Sequence, residues 1–313
     1  MSPRPSRRLT LLLVAAVTTV LTACGGNGNA PATGAAGAGR GFPVTVEASG
    51  ASVTIDSAPR RIVSLSPTAT EGLFAVGAGK QVVAVDDQST YPAEAPRTKL
   101  SGFQPNAEAV AGYSPDLVVL SNDSNGLVAA LRKLGVTVLM LPAATTLDEG
   151  YRQLQVIGDA TGHHDRAAEV VSTTKKRIDA AVASVPPATK GLKVYHELDQ
   201  TFFSATSRTF VGAVYARFGL RNIADAVGGP AKDYPQLSAE FVVKSAPDVI
   251  VLADTKCCGQ NAATLAKRPA FASVPAVRTG TIVLLDDDLG SRWGPRVADL
   301  AETVARVLAA RKG

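Results

Sequence analysis

The sequence predicts an α/β protein of two lobes, each built on a mainly parallel sheet, joined by one long α-helix. Three observations carry this. Short apolar, β-branched runs alternate with helix-like stretches through most of the 313 residues, the pattern of βαβ units. Landmarks of the first half recur at a constant interval in the second. One segment of helical periodicity lies between the two sets.

The chain opens on Arg4, Arg7 and Arg8, followed by an apolar run from Leu9 to about Ala23. A basic start, a short apolar middle and small residues at the end make a secretory signal, assigned to residues 1–23. At about fifteen residues the run is shorter than the roughly twenty that a membrane-spanning helix needs. It closes on Leu21-Thr-Ala-Cys24, which resembles the lipobox of bacterial lipoproteins. The resemblance implies cleavage before Cys24 and a lipid on its sulfur, holding the chain outside the cytoplasm and anchored to the cell membrane. The alternative is an ordinary cleavage site beside a chance cysteine. Residues 24–42, mostly Gly, Ala, Asn, Thr and Pro, hold too little apolar surface to fold and read as a flexible tether. The formal charge of +5 becomes +2 once Arg4, Arg7 and Arg8 are removed. No basic stripe interleaves with aromatics, so nucleic acid is not an expected partner. No later run is apolar and long enough to span a membrane.

The N-terminal lobe is assigned to residues 43–162, with strands at Arg61–Leu65, Gln81–Val85, Leu117–Leu120 and Thr137–Leu141. They are apolar without alternation, as strands covered on both faces should be. Thr68-Ala-Thr-Glu71 fits a capping box at a helix start, a structural role for Glu71. Gly77-Ala-Gly-Lys80 lacks the spacing and the Ser or Thr of a phosphate loop and reads as a helix-ending turn. Residues 163–189 form the connector. In it Ala167, Val170, Val171, Ile178, Ala181 and Val182 recur at helical spacing until Pro186-Pro187 stops the helix. A helical joint restricts the lobes to a small rocking. The C-terminal lobe, 190–313, has strands at Lys193–Glu197, Val249–Leu252 and Thr281–Leu285 and a last helix from Pro295 to Arg311.

The second strand set copies the first. Tyr113–Asp123, YSPDLVVLSND, resembles Ser245–Thr255, SAPDVIVLADT; Asp248 follows Asp116 by 132 residues, and Lys193 follows Arg61 by the same 132. Glu108 and Glu240 each stand eight residues before their aspartate. Agreement of these landmarks favours two related lobes. Asn106 and Ser238 look like N-caps, which puts each glutamate in a first helical turn, where a carboxylate favours the dipole.

In such a layout a ligand lies between the carboxyl ends of the sheets. Four loops there carry aromatic or charged groups: Gln88 and Tyr91; Phe103 and Gln104; Lys232 and Tyr234; Arg292 and Trp293. Of these, Gln88, Tyr91, Phe103, Tyr234, Arg292 and Trp293 are the candidate ligand-binding residues, because large planar ligands need aromatic walls with few polar anchors. Three of them have structural alternatives. Tyr91 can pack in the turn before Pro92. Trp293 can pack on the last helix. Arg292 can pair with the acidic run Asp286–Asp288, itself read as a solvated strand end. Glu197, in His196-Glu-Leu-Asp199, can reach ligand or bond its own loop, and Phe202 and Phe203 lie nearby.

R-I-V-S-L-S-P-T-A-T-E-x-L-F-A-V-G from Arg61, V-D-D-Q-S-T-Y-P from Val85, N-A-E before S-P-D-L-V, and Y-P-Q-L-S-A-E before A-P-D-V-I-V resemble the substrate-binding proteins of ABC importers. The subgroup is the one for iron complexes and cobalamin, and the likeness runs from about Pro59 to the end. It implies two Rossmann-like lobes on a helical backbone, the helical-backbone periplasmic binding protein fold. It also implies a monomer, with a small-molecule iron complex or corrinoid as ligand and an ABC permease dimer with its ATPase as partner. Glu108 and Glu240 would dock on permease arginines. Phe103 and Tyr234 fall where cobalamin binders have tryptophans; that departure tilts the expectation to a ferric siderophore, with cobalamin the alternative and haem open.

Other classes have less support. Three histidines, two of them the neighbours His163 and His164, do not make a metal site. H-E-L-D lacks the second His of a zinc protease motif, and there is no G-x-S-x-G elbow. No catalysis and no cofactor are expected, although an exported enzyme or interaction module on the same fold is conceivable. Cys257 and Cys258 could form a vicinal disulfide, pair with another molecule, or remain thiols.

Overall fold

A computed structural model describes residues 41–311 apart from 228, 230 and 231. The signal segment, Cys24 and residues 24–40 of the tether lie outside the described residues. The described chain opens on a hairpin absent from the sequence expectation, β1 (Val44–Ala48) and β2 (Ala51–Ile55), antiparallel with Ala48 opposite Ala51. Its two-residue turn, Ser49-Gly50, has positive φ at both positions, as a tight hairpin requires and as Ser-Gly permits. Alternation then buries Val46, Ala48 and Ile55 in the core of the first lobe.

The first lobe continues through β3 (Ile62–Leu65), α1 (Pro67–Ala75), β4 (Val82–Asp86), β5 (Arg97–Leu100), α2 (Ala107–Ala111), β6 (Leu117–Leu120), α3 (Leu127–Lys133) and β7 (Thr137–Met140). Its sheet has the order β5-β4-β3-β6-β7, with every pairing parallel. Two helices follow, α4 (Leu147–Thr161) and α5 (His164–Ala183). The second lobe is β8 (Lys193–Glu197), α6 (Phe210–Arg217), β9 (Arg221–Asn222), α7 (Ala239–Ser245), β10 (Val249–Leu252), α8 (Ala262–Ala266), α9 (Pro275–Thr279), β11 (Ile282–Leu284), α10 (Asp287–Ser291) and α11 (Val297–Ala310). Its sheet, β11-β10-β8-β9, is parallel throughout. The fold is therefore the two-lobed parallel α/β arrangement that the alternating pattern predicts.

Both sheets are covered on both sides, which explains the unalternating strands. In the first, Ile62, Leu117, Val119 and Leu139 pack on one face and Val63, Leu65, Val118 and Leu120 on the other. In the second, Val194, Val249, Val251 and Val283 oppose Tyr195, Ile250 and Leu252.

The internal repeat extends to equivalent hydrogen bonds. The Asp116 carboxylate accepts the backbone N–H groups of Arg60 and Arg61 at 2.8 and 3.0 Å; Asp248 accepts that of Lys193 at 2.9 Å. The Arg61 side chain donates to the carbonyl of Tyr113 at 2.6 Å, and Lys193 Nζ to that of Ser245 at 2.6 Å. Each pair is separated by the same 132 residues.

The long helix expected between the lobes is α5, and α4 runs beside it. In α5, Ala167 packs in the core of the first lobe and Ile178 and Ala181 in that of the second. In α4, Leu147 and Tyr151 join the second lobe's core, while Ile157 and Ala160 join the first. Two adjacent helices therefore cross between the lobes. Arg177 of α5 adds bonds to Asp299 at 2.6 Å and Glu302 at 2.7 Å on α11.

Candidate functional site

The cleft forms where β3, β4 and β6 end. Ser66, after β3, caps α1: its Oγ accepts from Ala69 N at 3.4 Å. The capping box expected at Thr68 and Glu71 is thus not formed, because the helix already begins at Pro67. A complete box stands instead at Thr146 and Glu149 of α4. Glu71 is freed for another role. Its side chain is 1% exposed and faces the second lobe. Arg292 Nη1 donates to Oε1 at 2.7 Å and Arg296 Nε to Oε2 at 2.9 Å.

Arg292 is further held by Asp288, one turn earlier, at 2.7 Å and by the Gln88 carbonyl at 3.0 Å. Thr90 Oγ1 donates to Asp288 at 3.1 Å. The lobes thus meet through a largely buried cluster of two acids, Glu71 and Asp288, and two arginines, Arg292 and Arg296, with Lys256 3.6 Å from Asp288 at its edge. The Asp286–Asp288 run is not a bare solvated strand end. Asp286 caps α10, Asp287 accepts the N–H groups of Lys256 and Cys257 at 2.8 and 2.7 Å, and Asp288 holds Arg292. Cys257 and Cys258 are joined in a vicinal disulfide on that loop.

Beside this cluster lies a hollow of about 340 Å³, lined by Gln88, Phe103, Arg292 and Trp293 together with Ser66, Asp86, Ser121 and Asn122. Its size falls in the usual range for small-molecule sites. A second hollow of about 240 Å³ shares Ser291, Arg292 and Trp293 with the first and adds Phe210 and Tyr234. Trp293 is the wall between them. It is half-buried, packs against the second lobe's core and donates from its indole N–H to Gln153 at 2.9 Å. Trp293 therefore lines both hollows and also packs on the second lobe's core.

Phe103 is 74% exposed on the first lobe and Tyr234 53% exposed on the second, so both present free aromatic faces at the cleft. Partial burial and nearby Asp233 raise the Tyr234 pKa. Tyr91 is not brought to the cleft. Its ring lies under Arg296, 4.2 Å from the guanidinium carbon, in a groove along α5; the chain turns away at Pro92. Glu197 is fully buried and bonds Arg268 at 2.6 Å and the Tyr195 hydroxyl at 3.0 Å, away from both hollows. Phe202 stacks on Phe271. His163 and His164 bond Gln81 and Asp159 at the α4–α5 turn. Among the described residues no group of three His, Cys, Asp or Glu is disposed to hold a metal.

Glu108 and Glu240 are both exposed, in the first turns of α2 and α7. Asn106 Oδ1 accepts Ala109 N at 2.9 Å and Ser238 Oγ accepts Phe241 N at 3.1 Å. Hydrogen bonds from its own backbone N–H and from Ser238 lower the Glu240 pKa. The two carboxylates occupy equivalent positions of the two lobes.

Sequence reasoning missed Asp86 and the Glu71 cluster. The spacing of Asp288 and Arg292, four apart, was a usable signal for their pairing. Nothing local linked either to Glu71, more than two hundred residues earlier.

A family model described as periplasmic binding protein matches residues 62–289. The chain belongs to the periplasmic binding protein family. The cobalamin-binding protein of Halobacterium salinarum is 34% identical to it over 305 residues, 94% of this chain and 82% of that one. The ABC transporter substrate-binding lipoprotein YvrC of Bacillus subtilis is 31% identical over 304 residues, 94% of each chain. Among solved structures, the periplasmic heme-binding protein RhuT of Roseiflexus sp. RS-1 in apo form matches with a TM-score of 0.69 at 26% identity, over 80% of this chain and 98% of that one. The vitamin B12 binding protein BtuF of Vibrio cholerae matches with a TM-score of 0.66 at 25% identity, over 80% and 96%. In this binding protein the inter-lobe hollows at the strand ends are the candidate ligand site.

Proposed function

We propose that this chain is the extracytoplasmic solute-capturing component of an ABC importer and that its cargo is a corrinoid. The observation that carries the cargo is the chemistry of the cleft. Two exposed aromatic faces, Phe103 and Tyr234, rim it, as a large planar ligand needs. Its floor is polar but uncharged or acidic. Among the described residues lining the two hollows, Arg292 is the one cation, and Glu71 and Asp288 already neutralise it. An amide-rich, uncharged ligand suits such a floor. A ligand that brings carboxylates or catecholates would bury them without a free partner.

The relatives named cobalamin-binding and vitamin B12 binding support the same choice over the ferric siderophore that the sequence favoured. Haem is the second reading, supported by the heme-binding structural neighbour. Against it, the described residues that line the hollows include no His, Cys or Met, and the Tyr234 phenol, the remaining candidate iron ligand, is pushed toward its neutral form.

In this reading residues 43–162 and 190–313 are the lobes and 163–189 the connector. Cys24 carries the lipid anchor, and the monomer performs no chemistry on its cargo. Glu108 and Glu240 orient the complex on the permease, where rim charges steer and set register, and two related lobes suit a twofold partner. The test is titration of the purified chain with cyanocobalamin, haemin, and ferric hydroxamate and catecholate complexes, followed by Trp293 fluorescence and calorimetry. Cyanocobalamin should bind tightest, by about tenfold or more, ~1.4 kcal/mol. Preference for haemin or a ferric complex would replace the cargo while leaving the importer reading.

A further inference from the structure

Asp86 ends β4 at the floor of the larger hollow. It is 1% exposed, and its Oδ1 has no hydrogen-bond partner. Its neighbour in the chain fold, Gly102, is shaped around it. A Cβ at Gly102 would stand 2.5 Å from Asp86 Oδ2 and 2.9 Å from the Leu65 carbonyl, so a side chain there would displace the carboxylate. The charged groups around it are Asp87 on its own strand end, and Asp288 and Arg292 from across the cleft. Burial raises its pKa, and the hydrogen bonds from the Ser89 hydroxyl and backbone N–H do not offset the water lost. The nearest guanidinium, on Arg292, is committed to Glu71 and Asp288. The other polar groups of the hollow, Ser66, Thr68, Gln88, Ser121, Asn122 and Ser291, are neutral.

We propose that Asp86 is a specificity-determining residue of the cleft, accepting a hydrogen bond from an amide N–H of the cargo and rejecting cargo that presents a carboxylate at that place. The assignment rests on the corrinoid reading and deepens it. A buried acceptor without a donor is costly, so a ligand amide that supplies one gains affinity. A ligand carboxylate would instead set two like charges side by side in a desolvated site, and one of them would have to take up a proton. A site built to bond a given polar group discriminates strongly against an analogue that cannot make the bond.

The test compares cyanocobalamin with the same molecule after hydrolysis of its peripheral amides to carboxylates, on the full chain and on Asp86→Asn. Wild type should favour the amide form by about tenfold or more. Asp86→Asn should bind the amide form about tenfold more weakly, bind the hydrolysed form more tightly than wild type does, and so lose the preference. Gly102→Ala, which crowds the carboxylate and also the Leu65 carbonyl, should lower the preference in the same direction. Thermal unfolding of each variant checks the fold, with Asp86→Ser replacing any variant that fails. If wild type binds the amide form and Asp86→Asn leaves the ratio unchanged, Asp86 is not the selector and the corrinoid reading stands. If wild type binds neither form, the corrinoid reading falls and this assignment with it.

Discussion

Glu71 receives two guanidinium groups in a place where water cannot screen them. Its side chain is 1% exposed, Arg292 9% and Arg296 18%. Exposed ion pairs contribute little, but removing one partner of a buried pair leaves an uncompensated charge. Glu71→Ala should therefore lower stability by about 3 kcal/mol or more in urea unfolding; a loss below ~1 kcal/mol would mean that the arginines re-solvate freely. The same substitution removes the main polar contact between the lobes at the cleft edge, so ligand affinity should fall with it. The rim aromatics act differently. Phe103→Ala should weaken cargo binding without lowering stability, because an exposed ring has no core packing to lose.

The short helices α2 and α7 are held by their first turns. Each has a side-chain cap, Asn106 or Ser238, and each places a glutamate beside unpaired backbone N–H groups, where a carboxylate is favoured. The capping residues set where the glutamates stand, so the carboxylates proposed for docking and the helix starts share one structural cause. Asn106→Ala should cost about 1 kcal/mol of stability. Glu108→Arg combined with Glu240→Arg should abolish uptake in cells with cargo affinity intact. If the reversed chain loses affinity as well, the two residues belong to the ligand site and the docking role is wrong.

Across the whole molecule, α4 and α5 divide their packing between both cores, and Arg177 ties α5 to α11. A two-helix joint with shared cores predicts one cooperative unfolding transition rather than two. Two buried groups make that transition respond to pH in opposite senses. Desolvation, with Glu197 nearby, pushes Asp254 up to about 7, and desolvation pulls His196 down to about 4. For Asp254 the folded form retains a proton that the unfolded chain has lost, so its contribution falls as pH rises from about 4 to 7. For His196 the unfolded chain binds the proton first, so its contribution rises with pH between about 4 and 6.5. The slopes, at most ~1.4 kcal/mol per pH unit each, oppose one another. Urea midpoints of the wild type should change little from these groups between pH 4.5 and 6.5, while Asp254→Asn should show stability rising through that window. A flat profile in the variant would remove His196 from the account.

How much was readable in advance follows the range of the interactions. The seven predicted strands and the repeat were legible because the strands are short apolar runs, the inner ones covered on both faces, and because each S-P-D or A-P-D turn bonds its own first strand through the same spacing. The capping residues Asn106 and Ser238 were legible for the same local reason. Strand β5, Arg-Thr-Lys-Leu, was not, since an edge strand can be polar; nor was β9, which is two residues long. The cleft was half legible. Gln88, Phe103, Arg292 and Trp293 meet in one hollow and Tyr234 in the next, but Tyr91 turns to the α5 side. Glu71 looked like a local cap, and Arg292 like a partner for a ligand or for the nearby acidic run. Their pairing spans the interval between residues 71 and 292, and only the folded joint brings those ends together. Charge state and burial in the cleft, and with them the cargo it can accept, are properties of that three-dimensional meeting rather than of any short stretch of chain.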